Sequence, residues 1–382
     1  MRDTSPMPKL PLAGIAALLL AACSTTPRVP SAVTTTVAPI SAEVVVVTES
    51  YVSEKFDGDE LDSLAAWTAQ DGATWLIASA KSGHRLVIFD ADSGQRLRTA
   101  GGKGAAPGEF LRPNGVAVFG DLLFVVERDN RRVQVLRMPE FSPVGSFGNG
   151  ELRSPYGLWL TETAPDELQV YITDSFMDGP RFDVVPPLAQ LGERVRRYRV
   201  HLRADGGSDA PAFDVPAFDA HYLGAFGDTS EAAALRMVES IAGDPVHARL
   251  LIADEHRGTR SNLREYTLGG RFAGRSLPEG TFDGEAEGVA LWSCRNDRGY
   301  WVAVDQQAPL TTFHLFDRDD LSPRGSFRGT VTAQTDGIAL HAAATARFPA
   351  GALFAVHDDR AVAAFDLRDI VQALRLDSDC LQ

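Results

Sequence analysis

Six short segments of one form, set at a near-regular spacing, constrain this 382-residue chain more than any other feature. Each reads polar residue, small residue, apolar residue, any residue, mostly apolar residue. They are "DSLAA" from Asp62, "NGVAV" from Asn114, "YGLWL" from Tyr156, "ESIAG" from Glu239, "EGVAL" from Glu287 and "DGIAL" from Asp336. Their starts lie 52, 42, 83, 48 and 49 residues apart. A second pattern runs in step with the first: an apolar run ending in a polar residue, a polar turn, then another apolar run. "LIASAKSGHRLVIFD" and "FVVERDNRRVQVLRM" are two of its copies.

Short apolar runs bounded by Gly, Asp, Asn and Pro read as strands throughout. Helical patterning is confined to "EAAALRMV" (Glu231 to Val238) and "DIVQALRL" (Asp369 to Leu376). Repeats of roughly 40–50 residues, each with several short strands, have the period of a β-propeller blade. The expectation is therefore all-β: one six-bladed β-propeller over residues 42–382. The 83-residue interval is read as one blade with an insertion at about 176–223. A β-sandwich or barrel explains six in-phase copies poorly. "AEVVVV" (Ala42 to Val47) is expected to pair with the last blade and close the ring.

The first residues carry a different signal. Arg2 and Lys9 precede the apolar "PLAGIAALLLAA", which ends in "LAAC" at Cys23. A charged start, a short apolar run and small residues closed by Cys resemble a bacterial lipoprotein signal. Residues 1–22 are then the signal peptide, Cys23 the lipidated residue and 23–41 a Ser/Thr/Pro-rich tether. This implies a lipid-anchored cell-envelope protein, outer-membrane by the Ser24 that follows, touching the membrane only through that lipid and otherwise monomeric. The formal net charge of −14 argues against nucleic acid, whose binding needs neutralising Lys and Arg. Cys294 and Cys380 remain; a disulfide and two free thiols are both open.

If the six strands are arranged radially, their first positions form a ring around one mouth of the channel. That ring reads Asp62, Asn114, Tyr156, Glu239, Glu287, Asp336, four acids of six. Glu285 adds an acid on the same loop, and Asp254 ends a neighbouring strand. Packed carboxylates disfavour each other's charge unless a cation intervenes. An all-oxygen, carboxylate-rich set with no Cys or His points to Ca²⁺ rather than Zn²⁺. Beside the ring stand Lys81 (one of four lysines), Arg112 and Arg131, fit to hold phosphate oxygens; Arg132 reads as a surface cation. His84, His256 and His357 fall in turns.

At these residues the chain resembles the β-propeller phytases, calcium-dependent phosphatases acting on inositol hexakisphosphate. "DSLAAW" is similar to that family's "DDPAIW", "RPNGVAV" to "RPNNVDV", "YGLWL" to "YGLCM", "EAEGVALW" to "DIEGLTIY" and "QTDGIAL" to "DTDGIDV". The resemblance implies Ca²⁺ held by Asp62, Glu239, Asp254, Glu285, Glu287 and Asp336. It implies catalytic roles for Lys81, Arg112 and Glu287, and substrate contacts from Lys81, Arg112, Tyr156 and Arg131, with phytate as substrate. The chain departs from the family at Ser63, in place of a ligand Asp, at Ser175, in place of a second lysine, and in a shortened loop before "TDG". Two rivals stand beside this reading. "GGKGAAPGEFLRPNGVAV" with "VERDNRRVQVL" resembles an NHL repeat, which implies a non-catalytic, surface-anchored binding module. The "RPNG" segment also resembles calcium-dependent lactonases, which would need one metal and no phosphate-binding lysine.

Overall fold

The computed structural model describes residues 43–203, 218–259 and 261–381, together with Met1. The proposed signal sequence, Cys23 and the tether lie outside the described residues.

Among the described residues the strands form six sheets, each built on a four-stranded antiparallel meander or, in the sixth, a three-stranded one completed from the N-terminal side. The chain enters each blade at the innermost strand. These six strands are Leu61–Thr68, Pro113–Phe119, Pro155–Ala164, Val238–Asp244, Glu285–Ser293 and Ile338–His341. The six-bladed propeller expected from the repeat is thus observed.

Why the second strand of each blade is almost wholly apolar follows from its position. Successive residues point to opposite faces of a sheet, and both faces here meet a neighbouring blade. In Leu122–Glu127, Leu123 and Val125 join a core shared with blade 1, while Phe124 and Val126 join one shared with blade 3. In Arg249–Asp254, Leu250 and Ile252 face blade 3, while Leu251 and Ala253 face blade 5. Two further clusters join blades 5 and 6, and blades 6 and 1, so the ring closes through apolar burial on every flank.

Closure differs from the sequence expectation. Val45–Val46 pairs in parallel with Pro323–Arg328 and adds a fifth strand to blade 5. The strand that completes blade 6 is Tyr51–Val52, antiparallel to Ala361–Asp366. An apolar run shows that a strand forms; only its distance from each open edge selects the partner. Glu49, between the two, accepts from the backbone N–H groups and hydroxyls of Thr330 and Thr332, which pins the run to blade 5.

Three further expectations are corrected. The span 176–223 is not simply an insertion, because it contains the third blade's own strand Val195–Leu202 and the start of its fourth, Phe218–Phe226. The additions are the loop before Val195 and residues 204–217, which lie outside the described set. Glu231 to Met237 forms turns rather than a helix: the Arg236 and Met237 N–H groups donate to the Asp254 carboxylate (3.0 and 2.9 Å), and Val238 already begins a strand. His357 is not in a turn but ends the strand Ala352–His357, 6% exposed, with Nδ1 accepting from the Ala333 N–H (3.2 Å). The second helical segment is observed as Leu367–Leu374, capped by Asp366. The tail after it is fastened by a disulfide between Cys294 and Cys380, 86 residues apart.

Candidate functional site

Five of the six innermost strands carry the same irregularity at the same place. Pairing with the second strand shifts between Leu61 and Leu64, Pro113 and Val116, Pro155 and Leu158, Val238 and Ile241, and Ala286 and Val289. The residues inside the gaps are the ring position and its small neighbour: Asp62-Ser63, Asn114-Gly115, Tyr156-Gly157, Glu239-Ser240 and Glu287-Gly288. A bulge leaves its extra residue unpaired and re-aims the side chain. In five blades the repeat seen in the sequence is therefore a bulge at the ring position; in the sixth, Asp336 precedes the strand Ile338–His341.

The small residue has its own cause. A Cβ on Gly157 would lie 2.4 Å from the carbonyl oxygen of Glu239, and one on Gly337 would lie 2.3 Å from that of Asp62. Adjacent inner strands approach too closely there for a larger side chain.

The mouth separates into two neighbouring groups. In the first, Lys81 Nζ lies 2.9 Å from Asp62 Oδ1, 3.0 Å from Asp336 Oδ2 and 3.8 Å from Glu60 Oε1. Its side chain is 8% exposed. Burial works against its charge, yet Asp62, Tyr156, Asp336 and Glu239 more than reverse this and hold it above the usual lysine range. Burial pushes Asp336 up to about 7 against the pull of Lys81. Arg112 joins through Nη2, which donates to Glu60 Oε1 (3.2 Å), while its N–H donates to His84 Nδ1 (3.0 Å).

The second group is a carboxylate trio. One oxygen from each of Glu239, Glu255 and Glu287 lies within 4.8 Å of the others. Burial, then the charge of Glu255, pushes Glu239 and Glu287 well above the usual carboxylate range; burial raises Glu255 too. Three such groups share protons or a cation. The donor set is all hard oxygen, so it fits a divalent cation. The three glutamates can hold one.

Of the six expected ligands only Glu239 and Glu287 are in the trio: Asp62 and Asp336 pair with Lys81, and Asp254 and Glu285 have other partners. Asp254 is 2% exposed and directed away from the trio: it accepts from the Arg236 and Met237 N–H groups and lies 3.6 Å from Arg264. It belongs to a structural series at the end of the second strands. Asp174 takes the N–H of Ser154 (2.6 Å), Asp305 those of Asp283 and Gly284 (3.0 and 2.8 Å), and Glu127 that of Leu111 (3.1 Å). Each fastens the incoming loop to its blade. Glu255, the next residue, is the one that reaches the trio. Glu285 is engaged by Arg257, its Oε1 2.6 Å from Nε, while its charge still acts on Glu255.

Tyr156 lies over the first group, its ring centroid 6.0 Å from Lys81 Nζ, and lines the cavity that opens beside the trio. That cavity has a volume of about 800 Å³. Arg131 and Arg153 line it, and among the described residues neither guanidinium has an acidic partner; Glu239 and Glu255 form part of its wall. Arg132, read as a surface cation, is instead 7% exposed and donates from Nε to Glu127. Ser175 is buried, and its hydroxyl accepts from the Val238 N–H (3.1 Å).

Two important residues escaped the sequence reading. Glu255 lies outside the repeat and had no signal but its adjacency to Asp254. Arg194 is fully buried and donates to four backbone carbonyls: Asp174 (3.2 Å), Phe176 (2.6 Å), Leu235 (3.2 Å) and Arg236 (2.6 Å). It ties together the blade 3 and blade 4 loops that line the cavity. Burial pushes its guanidinium down to about 10 despite Asp174 and Asp254 nearby.

No protein-family model matches this chain, and no curated protein matches it. Solved structures are similar to it in fold. The hydrazine synthase of Kuenenia stuttgartiensis is 14% identical, over 82% of this chain and 97% of that one, with a TM-score of 0.47. A catalytically inactive virginiamycin B lyase from Staphylococcus aureus, with quinupristin, is 9% identical over 82% and 97%, with a TM-score of 0.43. A chain of a nidogen/laminin complex is 13% identical over 75% and 87%, also with a TM-score of 0.43. At such identities the likeness is one of fold alone.

Proposed function

We propose that this propeller is a Ca²⁺-dependent phosphomonoester hydrolase of the phytase type. The observation that carries the reading is the Glu239–Glu255–Glu287 trio beside a cavity lined by Arg131 and Arg153. Carboxylates able to hold a cation and guanidinium groups without acidic partners make a pair of subsites suited to an anionic substrate. Glu239, Glu255 and Glu287 would hold the ion, which when bound neutralises phosphoryl charge and lowers the pKa of water. The chain's own part is to hold and orient. Arg131 and Arg153 can grip phosphoryl oxygens, and Arg194 fixes the loops that carry the cavity wall. Lys81 and Arg112 border the site, with Lys81 spent on keeping Asp62 and Asp336 in place. The lipid anchor at Cys23 and a cell-envelope location belong to the same proposal, in keeping with the Cys294–Cys380 disulfide.

One observation favours a second reading. With Lys81 engaged by two carboxylates and one evident cation site among the described residues, a single-metal lactonase is also served. The test is phosphate release from phytate and from simple phosphomonoesters, and ring opening of lactones, each with Ca²⁺ and with chelator. Calcium-dependent phosphate release that disappears in Glu255→Gln supports the hydrolase. Lactone opening without phosphate release favours the rival, and neither activity leaves a binding module.

A further inference from the structure

The cavity beside the trio is not lined as a purely polar substrate would require. Besides arginines, its lining includes Phe176, Met177, Phe182 and Met237. Phe176 is 3% exposed, and the Arg153 guanidinium lies 3.7 Å from its ring centroid. Stacking there holds Arg153 in one orientation without neutralising it. Arg194 lies 4.4 Å from the same ring, so the aromatic is braced from the core.

Phe182 is placed in an unusual way. Residues 178–184 form a small closed loop, with the Asp178 N–H donating to Val184 O (2.7 Å) and the Val184 N–H to Asp178 O (3.1 Å). At its tip Phe182 adopts φ 54° and is 76% exposed. A bulky residue in the left-handed region costs free energy, and an exposed Phe gains nothing from core burial. Both costs would be offset by a ligand that covers the ring.

Resting on the hydrolase reading above, we propose that the preferred substrate is a phosphate monoester of an alcohol bearing a flat aromatic ring, such as an aryl or nucleoside monophosphate. Its ring lies against Phe182, Met177 and Met237, and its phosphate lies between Arg131, Arg153 and the trio. Thioether and aromatic walls suit a planar ring, as sulfur–aromatic and offset aromatic contacts are favourable. A fully phosphorylated polyol would leave that wall without a partner. In the reaction a water oxygen forms the new bond to phosphorus and the ester P–O bond breaks. The alcohol oxygen leaves with that bond's electron pair and takes up the proton that the attacking water gives up, giving inorganic phosphate and the free ring-bearing alcohol.

The experiment compares kcat/KM, with Ca²⁺, for phenyl phosphate, a nucleoside 5′-monophosphate, glucose 6-phosphate and phytate, in the full-length protein and in Phe182→Ser. The ring-bearing esters are expected to exceed glucose 6-phosphate and phytate by about tenfold or more, the scale that one apolar contact set provides. Phe182→Ser is expected to cut the ratio of ring-bearing to sugar ester by about tenfold, chiefly through KM. Equal rates on all four esters, with a ratio that Phe182→Ser does not move, would overturn this inference and leave the hydrolase standing. No release from any ester would overturn both.

Discussion

Asp254 and Glu255 are consecutive, yet their carboxylates do different work at the same mouth. Asp254 takes two backbone N–H groups and ties a loop to blade 4, while Glu255 reaches Glu239 and Glu287 at the mouth. Their substitutions should separate cleanly. Asp254→Ala leaves those donors and Arg264 without a carboxylate, and should cost about 2–4 kcal/mol of stability. Glu255→Gln should keep the fold and abolish the response to divalent cations. Thermal melts with and without Ca²⁺ check both; a stable Asp254→Ala protein that loses only its cation response would reverse the assignment.

Cation binding should be visible without any substrate. A ligand that binds only the folded state stabilises it by about 2.7 kcal/mol at one hundred times its dissociation constant. Ca²⁺ should therefore raise the melting temperature, and chelator should reverse it. Glu287→Gln should remove the effect, and in chelator should melt no lower than the parent, because one buried like charge is gone. Calorimetric titration gives the stoichiometry, expected to be one ion at this trio.

Lys81 is the charge on which Asp62 and Asp336 depend. Lys81→Met leaves two poorly exposed carboxylates without their cation, a change worth about 3–5 kcal/mol where a buried pair is broken from one side. Adding Asp62→Asn should recover part of the loss. A double-mutant cycle with no coupling between the two sites would show that the contact is energetically idle.

The acid limb of stability should be set by two carboxylates outside both groups at the mouth, Asp244 and Glu49. Burial alone would push Asp244 up, but Arg318, donating from Nε and Nη2 at 2.9 and 2.6 Å, and His247 outweigh it and hold Asp244 at about 2. Burial of Glu49 is likewise outweighed by the donors of Thr330, Thr332 and Val331, which hold it at about 2. Both groups sit below their ordinary values of 3.8 and 4.5. Their contribution is thus full above about pH 5 and is lost as pH falls toward 2. Arg318→Met should move the midpoint of acid unfolding to higher pH, followed by circular dichroism. An unchanged midpoint would remove Asp244 from the account.

Opening the Cys294–Cys380 bridge releases a segment of 86 residues in sequence separation. The chain-entropy relation gives about 4–5 kcal/mol for a loop of that size. Cys380→Ser should lower the melting temperature, and reductant should lower that of the parent but not of the variant.

What the sequence by itself determined is the architecture and the address of the site. The in-phase repeat defines six blades, because both faces of every second strand are buried and only apolar runs satisfy them. It also brings Asp62, Glu239, Glu287 and Asp336 to one mouth, because the polar-small pair marks the entry to each inner strand, where neighbouring inner strands crowd together. Lys81 was legible for the same reason, lying at a repeated turn. Tertiary structure decided the rest. Side chains alternate along a strand, so a register offset of one residue separates a cap from a ligand, and Asp254 and Glu255 cannot be told apart without it. The partner of Val45–Val46, the pairing of the two cysteines and the four carbonyls that Arg194 gathers all join residues remote in sequence. Such contacts are selected by distance once the blades have closed, and no local pattern encodes them.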